Sequence, residues 1–197
     1  MTTVRHSSIS RETKETSVAV ALNLDGSGTT SVSTGVPFFD HMLDALGRHA
    51  LLDLDVQASG DLEVDAHHTV EDVGIVLGQA IAQALGDKSG IRRFGSALVP
   101  MDEALALAAV DISGRGGLYW EVKLPIEFIG TFDTTLAREF LVALATNAGV
   151  TLHVRSLSGE NSHHIIEACI KATARALGEA VSLDSRVSGV PSTKGAL

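Results

Sequence analysis

Four of the eight histidines in this 197-residue chain stand in two copies of one phrase. Asp65-Ala66-His67-His68-Thr69-Val70-Glu71 and Asn161-Ser162-His163-His164-Ile165-Ile166-Glu167 each set two adjacent histidines behind a cap-type residue and a spacer. In both, a glutamate follows three positions after the second histidine. The copies lie about half the chain apart. Imidazole with carboxylate suits Mn, Fe, Zn or Co, and a site taking more than four ligands favours Mn or Fe over tetrahedral Zn. A lone histidine pair at a helix start is ordinarily solvated or capping; its duplication with intact spacing is what points to metal.

Asp65 and Asn161 are good N-caps, so each phrase is predicted to open a helix. There His67 projects with Glu71, and His163 with Glu167, as i, i+4 pairs. His68 and His164 point about 100° away from their neighbours. One copy cannot place both imidazoles on one ion, whereas two facing copies can, each giving a His and a Glu to one ion and its second His to the other. Aligning the earlier helices of the two halves sets His41 against Glu139 and adds both. The expected sets are His67, Glu71, Glu139 and His164 at one ion, and His41, His68, His163 and Glu167 at the other. His49 caps the first helix or touches ligand. His153, on the polar face of its strand, is left out.

The elements that must position these residues repeat in order. Alternating Val18, Val20, Leu22 and Leu24 predict a strand, Asp25–Gly28 a turn, and Thr29–Thr34 a returning strand. Pro37 opens a helix with Phe38, Met42 and Leu46 as its stripe; Leu52–Gln57 is strand, and a helix from the first phrase ends at Gly86. The second half reads as strand Leu105–Ile112, a turn over Gly114–Gly117, strand Leu118–Leu124, helix Thr135–Ala145, strand Val150–Arg155, and a helix from the second phrase to a capping Gly178. Each half is thus strand-strand-helix-strand-helix, residues 1–90 and 91–197. The expected class is α+β: two four-stranded-type sheets with helices packed between them, a ribosomal protein S5 domain 2-like arrangement.

A net charge of −9 argues against a nucleic-acid or membrane partner, though not against a small anion in a local basic pocket. The single cysteine, Cys169, excludes an internal disulfide and allows a reducing compartment. The polar start and the lack of a long apolar run predict a cytoplasmic protein. Basic and hydroxyl groups stand in loop settings: Arg92-Arg93, Arg115 among glycines, and Ser192-Thr193-Lys194. These are phosphomonoester-binding chemistry, although singly each is an ordinary surface group. Glu15 lies in a charge run, Arg11–Thr16.

Phe38-Phe39-Asp40-His41-Met42-Leu43, the doubled His-His-x-x-Glu, Arg11-Glu12-Thr13-Lys14-Glu15-Thr16 and Pro191-Ser192-Thr193-Lys194-Gly195 together resemble the imidazoleglycerol-phosphate dehydratase family over essentially the whole chain. The resemblance implies a hydro-lyase of histidine biosynthesis that converts D-erythro-imidazole glycerol phosphate to imidazole acetol phosphate. It implies two Mn2+ per active site and a homo-oligomer, a 24-mer whose active sites are shared between subunits. Its metal ligands fall on His41, His67, His68, Glu71, His163, His164 and Glu167. Its substrate groups fall on Glu15, His49, Arg93, Arg115, Ser192, Thr193 and Lys194, and its catalytic positions on Glu15, His41 and Glu167. Several members carry His where this chain has Glu139. The expected chemistry is loss of a carbon-bound proton beside an imidazole held as imidazolate between two metals, with hydroxide leaving through a diazafulvene-like intermediate. Two rivals stand beside it. A di-metal phosphatase would need ions about 3.5–4 Å apart; a metal-bridged storage or assembly protein would need no Glu15, Arg93, Arg115 or Lys194.

Overall fold

Strands form where apolar side chains alternate, and the structure, a computed structural model describing residues 5–197, orders them into two matching four-stranded sheets. The first holds β1 (His6–Glu12), β2 (Thr16–Asn23), β3 (Thr30–Ser33) and β4 (Asp53–Gly60) in the order β1-β2-β4-β3. The second holds β5 (Phe94–Met101), β6 (Ala104–Asp111), β7 (Gly117–Glu121) and β10 (Thr151–Ser158) in the order β5-β6-β10-β7. Both are antiparallel except at one edge, where β3 pairs β4 and β7 pairs β10 in parallel. A small hairpin, β8 (Phe128–Ile129) and β9 (Phe132–Asp133), is inserted in the second half.

Each four-stranded sheet therefore holds one strand more than the three expected per half, and the second half adds the β8–β9 hairpin as well. β1 and β5 lack the hydrophobic alternation that marks their neighbours. Inward-facing Ser7 of β1 is buried because its hydroxyl donates to Ala80 O at 2.8 Å, so no apolar residue is needed there. In β5, inward Gly95 lets the strand lie against α4, while Phe94 and Leu98 face outward. Edge placement also tolerates Pro100. The charge run Arg11–Thr16 is the β1–β2 hairpin: Arg11 Nε donates to Asp72 Oδ1 at 3.0 Å, and the Thr16 hydroxyl donates to Asp72 Oδ2.

The helices α1 (Pro37–Ala50), α2 (His67–Leu85), α3 (Leu136–Ala148) and α4 (Ser162–Val181) lie between the sheets. The first two sit on the first sheet and the last two on the second; α1 packs on α4, and α2 on α3. A single core runs through both halves. In α1, Phe39 rather than Phe38 leads the core stripe with Met42, Leu43 and Leu46, which turns Phe38 outward. Gly178 is not a cap as expected. It lies inside α4, where a Cβ would meet Ala50 O of α1 at 2.6 Å. Small side chains are what let the two backbones cross so closely. Gly86 does terminate α2, with φ 55°. No helix among the described residues is long and apolar enough to cross a membrane.

Candidate metal centre

The two phrases start their helices as predicted, with one shift. Asn161 is the N-cap of α4, and its side chain accepts the His163 N–H at 2.9 Å. In the first copy the cap position falls on Ala66, while Asp65, one residue earlier, accepts the His67 N–H at 2.7 Å.

Packing of α1 on α4 brings three candidate ligands together. His41 Nε2 and His163 Nε2 lie 3.3 and 3.2 Å from the same oxygen, Glu167 Oε2. One donor atom from each falls within 4.8 Å of the others. Two imidazoles and a carboxylate converging on one point, with Glu167 buried and His41 exposed to solvent, make a donor set that fits a borderline divalent ion. The other carboxylate oxygen, Oε1, is held by Lys171 Nζ at 2.6 Å. Burial works to raise the Glu167 pKa, but Lys171 and His41 outweigh it and hold the group ionised below its usual range. Phe38 walls the trio, its ring 5.0 Å from that of His163 and 5.2 Å from Phe132. A cavity of about 680 Å³ opens here between Val36, Phe38, His41, Phe132, His163 and Glu167.

The second histidine of each phrase turns elsewhere, as the helical spacing requires. His68 Nδ1 donates to Asp61 Oδ2 at 3.0 Å, and Glu15 Oε2 stands 3.8 Å from the same nitrogen. His164 Nδ1 donates to Glu103 Oε2 at 2.7 Å. These carboxylates raise the pKa of both imidazoles, Asp61 foremost for His68 and Glu103 for His164. Neither ring joins the trio within one chain. His67 and the exposed Glu71 stand at the start of α2, and His67 lines an adjoining cavity with Asp133, Thr135 and Leu136 at the start of α3. Glu139 pairs with its neighbour Arg138 at 2.8 Å. Among the described residues no second trio converges so tightly.

His49 lies two turns along α1 from His41. Burial, then Lys171, Arg175 and Arg48, lower its pKa and keep the ring neutral. The phosphate-type groups assemble at another place. Arg93 bonds Asp111 through Nε at 2.8 Å and through Nη2 at 3.3 Å, and donates from Nη1 to Pro191 O at 2.9 Å. It thereby orders the tail that carries Ser192, Thr193 and Lys194. Leu197 closes against Gly114, beside exposed Arg115, and its carbonyl accepts from Lys88 at 3.3 Å. This cluster sits at the end of the second sheet where β5 starts; His164 and Glu103 sit where β5 finishes. An eight-residue strand separates them, roughly 25 Å.

Sequence pattern alone does not single out Lys171, Phe38 as a wall, or Glu103. The one signal for Lys171 is its i+4 spacing from Glu167. Glu103 is hidden because β5 lacks a strand pattern, and with it the hairpin tip that carries this residue.

Comparison with known proteins agrees with this geometry. The family model described as imidazoleglycerol-phosphate dehydratase matches residues 34–177. The imidazoleglycerol-phosphate dehydratase of Symbiobacterium thermophilum is 61% identical over 189 residues, which cover 96% of this chain and 91% of that protein. That of Acetivibrio thermocellus is 59% identical over 96% of this chain and 97% of its own length. The crystal structure of the Staphylococcus aureus enzyme of that name superposes with a TM-score of 0.83 at 39% identity, covering 91% of this chain and 99% of that one. The chain belongs to the imidazoleglycerol-phosphate dehydratase family, hydro-lyases of histidine biosynthesis.

Proposed function

We propose that the chain removes water from D-erythro-imidazole glycerol phosphate to give imidazole acetol phosphate, using two Mn2+ per site in a homo-oligomer whose sites are shared between copies. The observation that carries this is the convergence of His41, His163 and Glu167 on one point in a chain of this family. It leaves the phosphatase and storage readings with nothing specific in their favour.

When bound, the metal supplies Lewis-acid stabilisation of negative charge on the substrate's imidazole. The residues do the rest. His41, His163 and Glu167 hold one ion, and Lys171 keeps the Glu167 carboxylate turned so that one oxygen faces it. His67 and Glu71 hold the other ion, with Glu139 available if it leaves Arg138. His68 and His164 reach the ions of a facing copy. Phe38 keeps water from one side of the ring. Lys171 and neutral His49, further along the α1–α4 groove, offer donors to the substrate hydroxyls.

In the reaction the C–O bond on the carbon that bears the ring breaks, a C–H bond on the next carbon breaks, and the hydroxyl and proton depart as water. The resulting enol, whose oxygen is the remaining hydroxyl, takes up a proton on the carbon that bears the ring and becomes the ketone. Glu15 exchanges these protons. Its carboxylate stands on the tip of the β1–β2 hairpin beside His68 and receives no backbone hydrogen bond among the described residues, so it is free to reach a substrate carbon.

Distance supports the sharing of sites between copies. Arg93, Arg115 and the Ser192–Lys194 tail would bind phosphate, and they lie a full strand length from His164 in the same chain. A small substrate cannot bridge that gap, so phosphate and imidazole are held by different copies. The octahedral 24-mer of the family is the assembly we assign. A reducing cytoplasm suits the single, fully buried thiol of Cys169.

The test is a dehydration assay on protein stripped of metal by a chelator and then given Mn2+, with metal content measured in parallel. Activity lost on stripping and restored by Mn2+ is expected. Full turnover by metal-free protein would overturn the reading.

A further inference from the structure

The repeat gives Glu15 a counterpart. β1 and β2 are joined by a hairpin whose tip carries Glu15; β5 and β6 are joined by a hairpin whose tip is Asp102-Glu103, closed by pairing of Met101 with Ala104. Each tip meets the second histidine of its own half. Asp102 adopts φ 48°, a left-handed conformation that Asp tolerates better than most residues, and this turns Glu103 toward the start of α4.

The two glutamates are held very differently. Glu103 Oε1 accepts the backbone N–H groups of Asn161 at 2.9 Å and Glu160 at 3.1 Å. Its Oε2 faces His164 Nδ1 at 2.7 Å. Both oxygens of Glu103 are thus faced by donors, and a carboxylate can only accept. The His164 nitrogen facing it must therefore carry the proton. That leaves Nε2 of the neutral ring with a free lone pair. The nearest charged group to Nε2 is Asp102 Oδ2 at 3.7 Å, on a side chain open to solvent and too far for a hydrogen bond. A carboxylate behind one ring nitrogen is what orients a metal-ligating imidazole and sets its tautomer.

We infer that Glu103 is a positioning residue: pinned by two backbone N–H groups, it fixes His164 as the Nδ1–H tautomer and presents Nε2 to the ion of a facing copy. Asp61 does the same for His68 in the first half, with Nδ1 contacts of 3.0 and 3.2 Å. There a separate aspartate does the holding, and the glutamate at the hairpin tip is left loose. In the second half the tip glutamate itself does the holding and is unavailable for proton transfer.

This role rests on the metal reading above, so the test separates the two. Full-length wild type, Glu103→Ala and Glu103→Gln are compared by Mn2+ titration and by magic-angle-spinning 15N spectra of histidine-labelled, metal-free protein at pH 8.5. Expected for Glu103→Ala is loss of one Nδ1–H histidine signal and a 10- to 100-fold weaker Mn2+ affinity at one of two sites, in the range of about 10–100-fold for outer partners of metal ligands. Glu103→Gln, whose amide oxygen still accepts from Nδ1–H, falls between the two and guards against a simple folding defect. Unchanged Mn2+ affinity in Glu103→Ala, with or without the spectral change, overturns the role alone. A wild type that takes up no Mn2+ overturns the metal reading, and this role with it.

Discussion

The four-stranded sheets of the two halves repeat one another strand for strand, yet among the described residues only the α1–α4 pair gathers three candidate ligands around one point. The difference is made by a few substitutions between equivalent positions. His41 on α1 reaches Glu167 on α4, but its counterpart Glu139 on α3 is held by Arg138. Lys171 anchors Glu167, where the corresponding residue of α2 is apolar Ile75. Gly74 of α2 lies so close to α3 that a Cβ would sit 2.7 Å from Phe140 O, whereas α4 carries buried Ile170 at that place. A duplicated fold can thus keep its topology while the helix pairs formed between its halves diverge: α1 and α4 gather three candidate ligands, and the hairpin tip beside the start of α2 carries the Glu15 carboxylate instead.

The largest effect that would sharpen this division is at the hairpin tips. Glu15→Gln should lower kcat by about 10²–10⁴-fold, the usual worth of a general acid–base group, with Mn2+ content unchanged by metal analysis. An unchanged kcat at saturating substrate would remove Glu15 from the mechanism and make the tips equivalent.

Next is the helix crossing. Gly74→Ile, which copies the second half into the first, should destabilise the protein by about 1–3 kcal/mol through overpacking. A chemical-denaturation midpoint no lower than wild type would show that α2 and α3 can shift apart to admit the larger side chain.

Smaller still is the acid response of the ion pair that secures each half's leading strand. Arg5 clasps Asp25 in the first half as Arg93 clasps Asp111 in the second. The hydrogen bond from Arg5 lowers the Asp25 pKa against a modest burial penalty. A lowered folded-state pKa adds stability above about pH 4 that is lost as pH falls further. Because Asp25 is half exposed, 48% for its side chain, the amount is under about 1 kcal/mol. The gap in urea midpoint between wild type and Arg5→Gln should therefore narrow from pH 6 to pH 3; a widening gap would refute the assignment.

The last concerns Cys169, whose counterpart is Val73; both are 0% exposed. Burial pushes the thiol pKa up to about 12, so it has no reactive form at neutral pH. Cys169→Val should change stability by less than about 1.5 kcal/mol and leave turnover intact, as measured by thermal unfolding and assay.

Much of the fold and part of the candidate ion site are legible in the residues themselves. Alternation at Val18–Leu24 and Val150–Val154, and the i, i+4 spacing inside each phrase, reflect local backbone geometry, which a sequence displays directly. The edge strands are not legible, because Ser7 and Gly95 satisfy burial by hydrogen bonding and close approach rather than by hydrophobicity. Nor can spacing tell that His68 and His164 turn toward the hairpins of their own halves, since those contacts depend on Asp61 and Glu103 arriving through the fold. Pairing His41 with the second phrase is legible only by aligning the halves, and the same alignment gives no warning that Arg138 holds Glu139.

The placement of Arg93 and His164 at opposite ends of β5 has a genetic consequence. If the phosphate comes from one chain's far end and the ligands from another's near end, then Arg93→Ala and His163→Ala damage different contributions to the same site. Two alleles that are each inactive alone would then complement when co-expressed, because mixed assemblies contain sites built from the intact part of each.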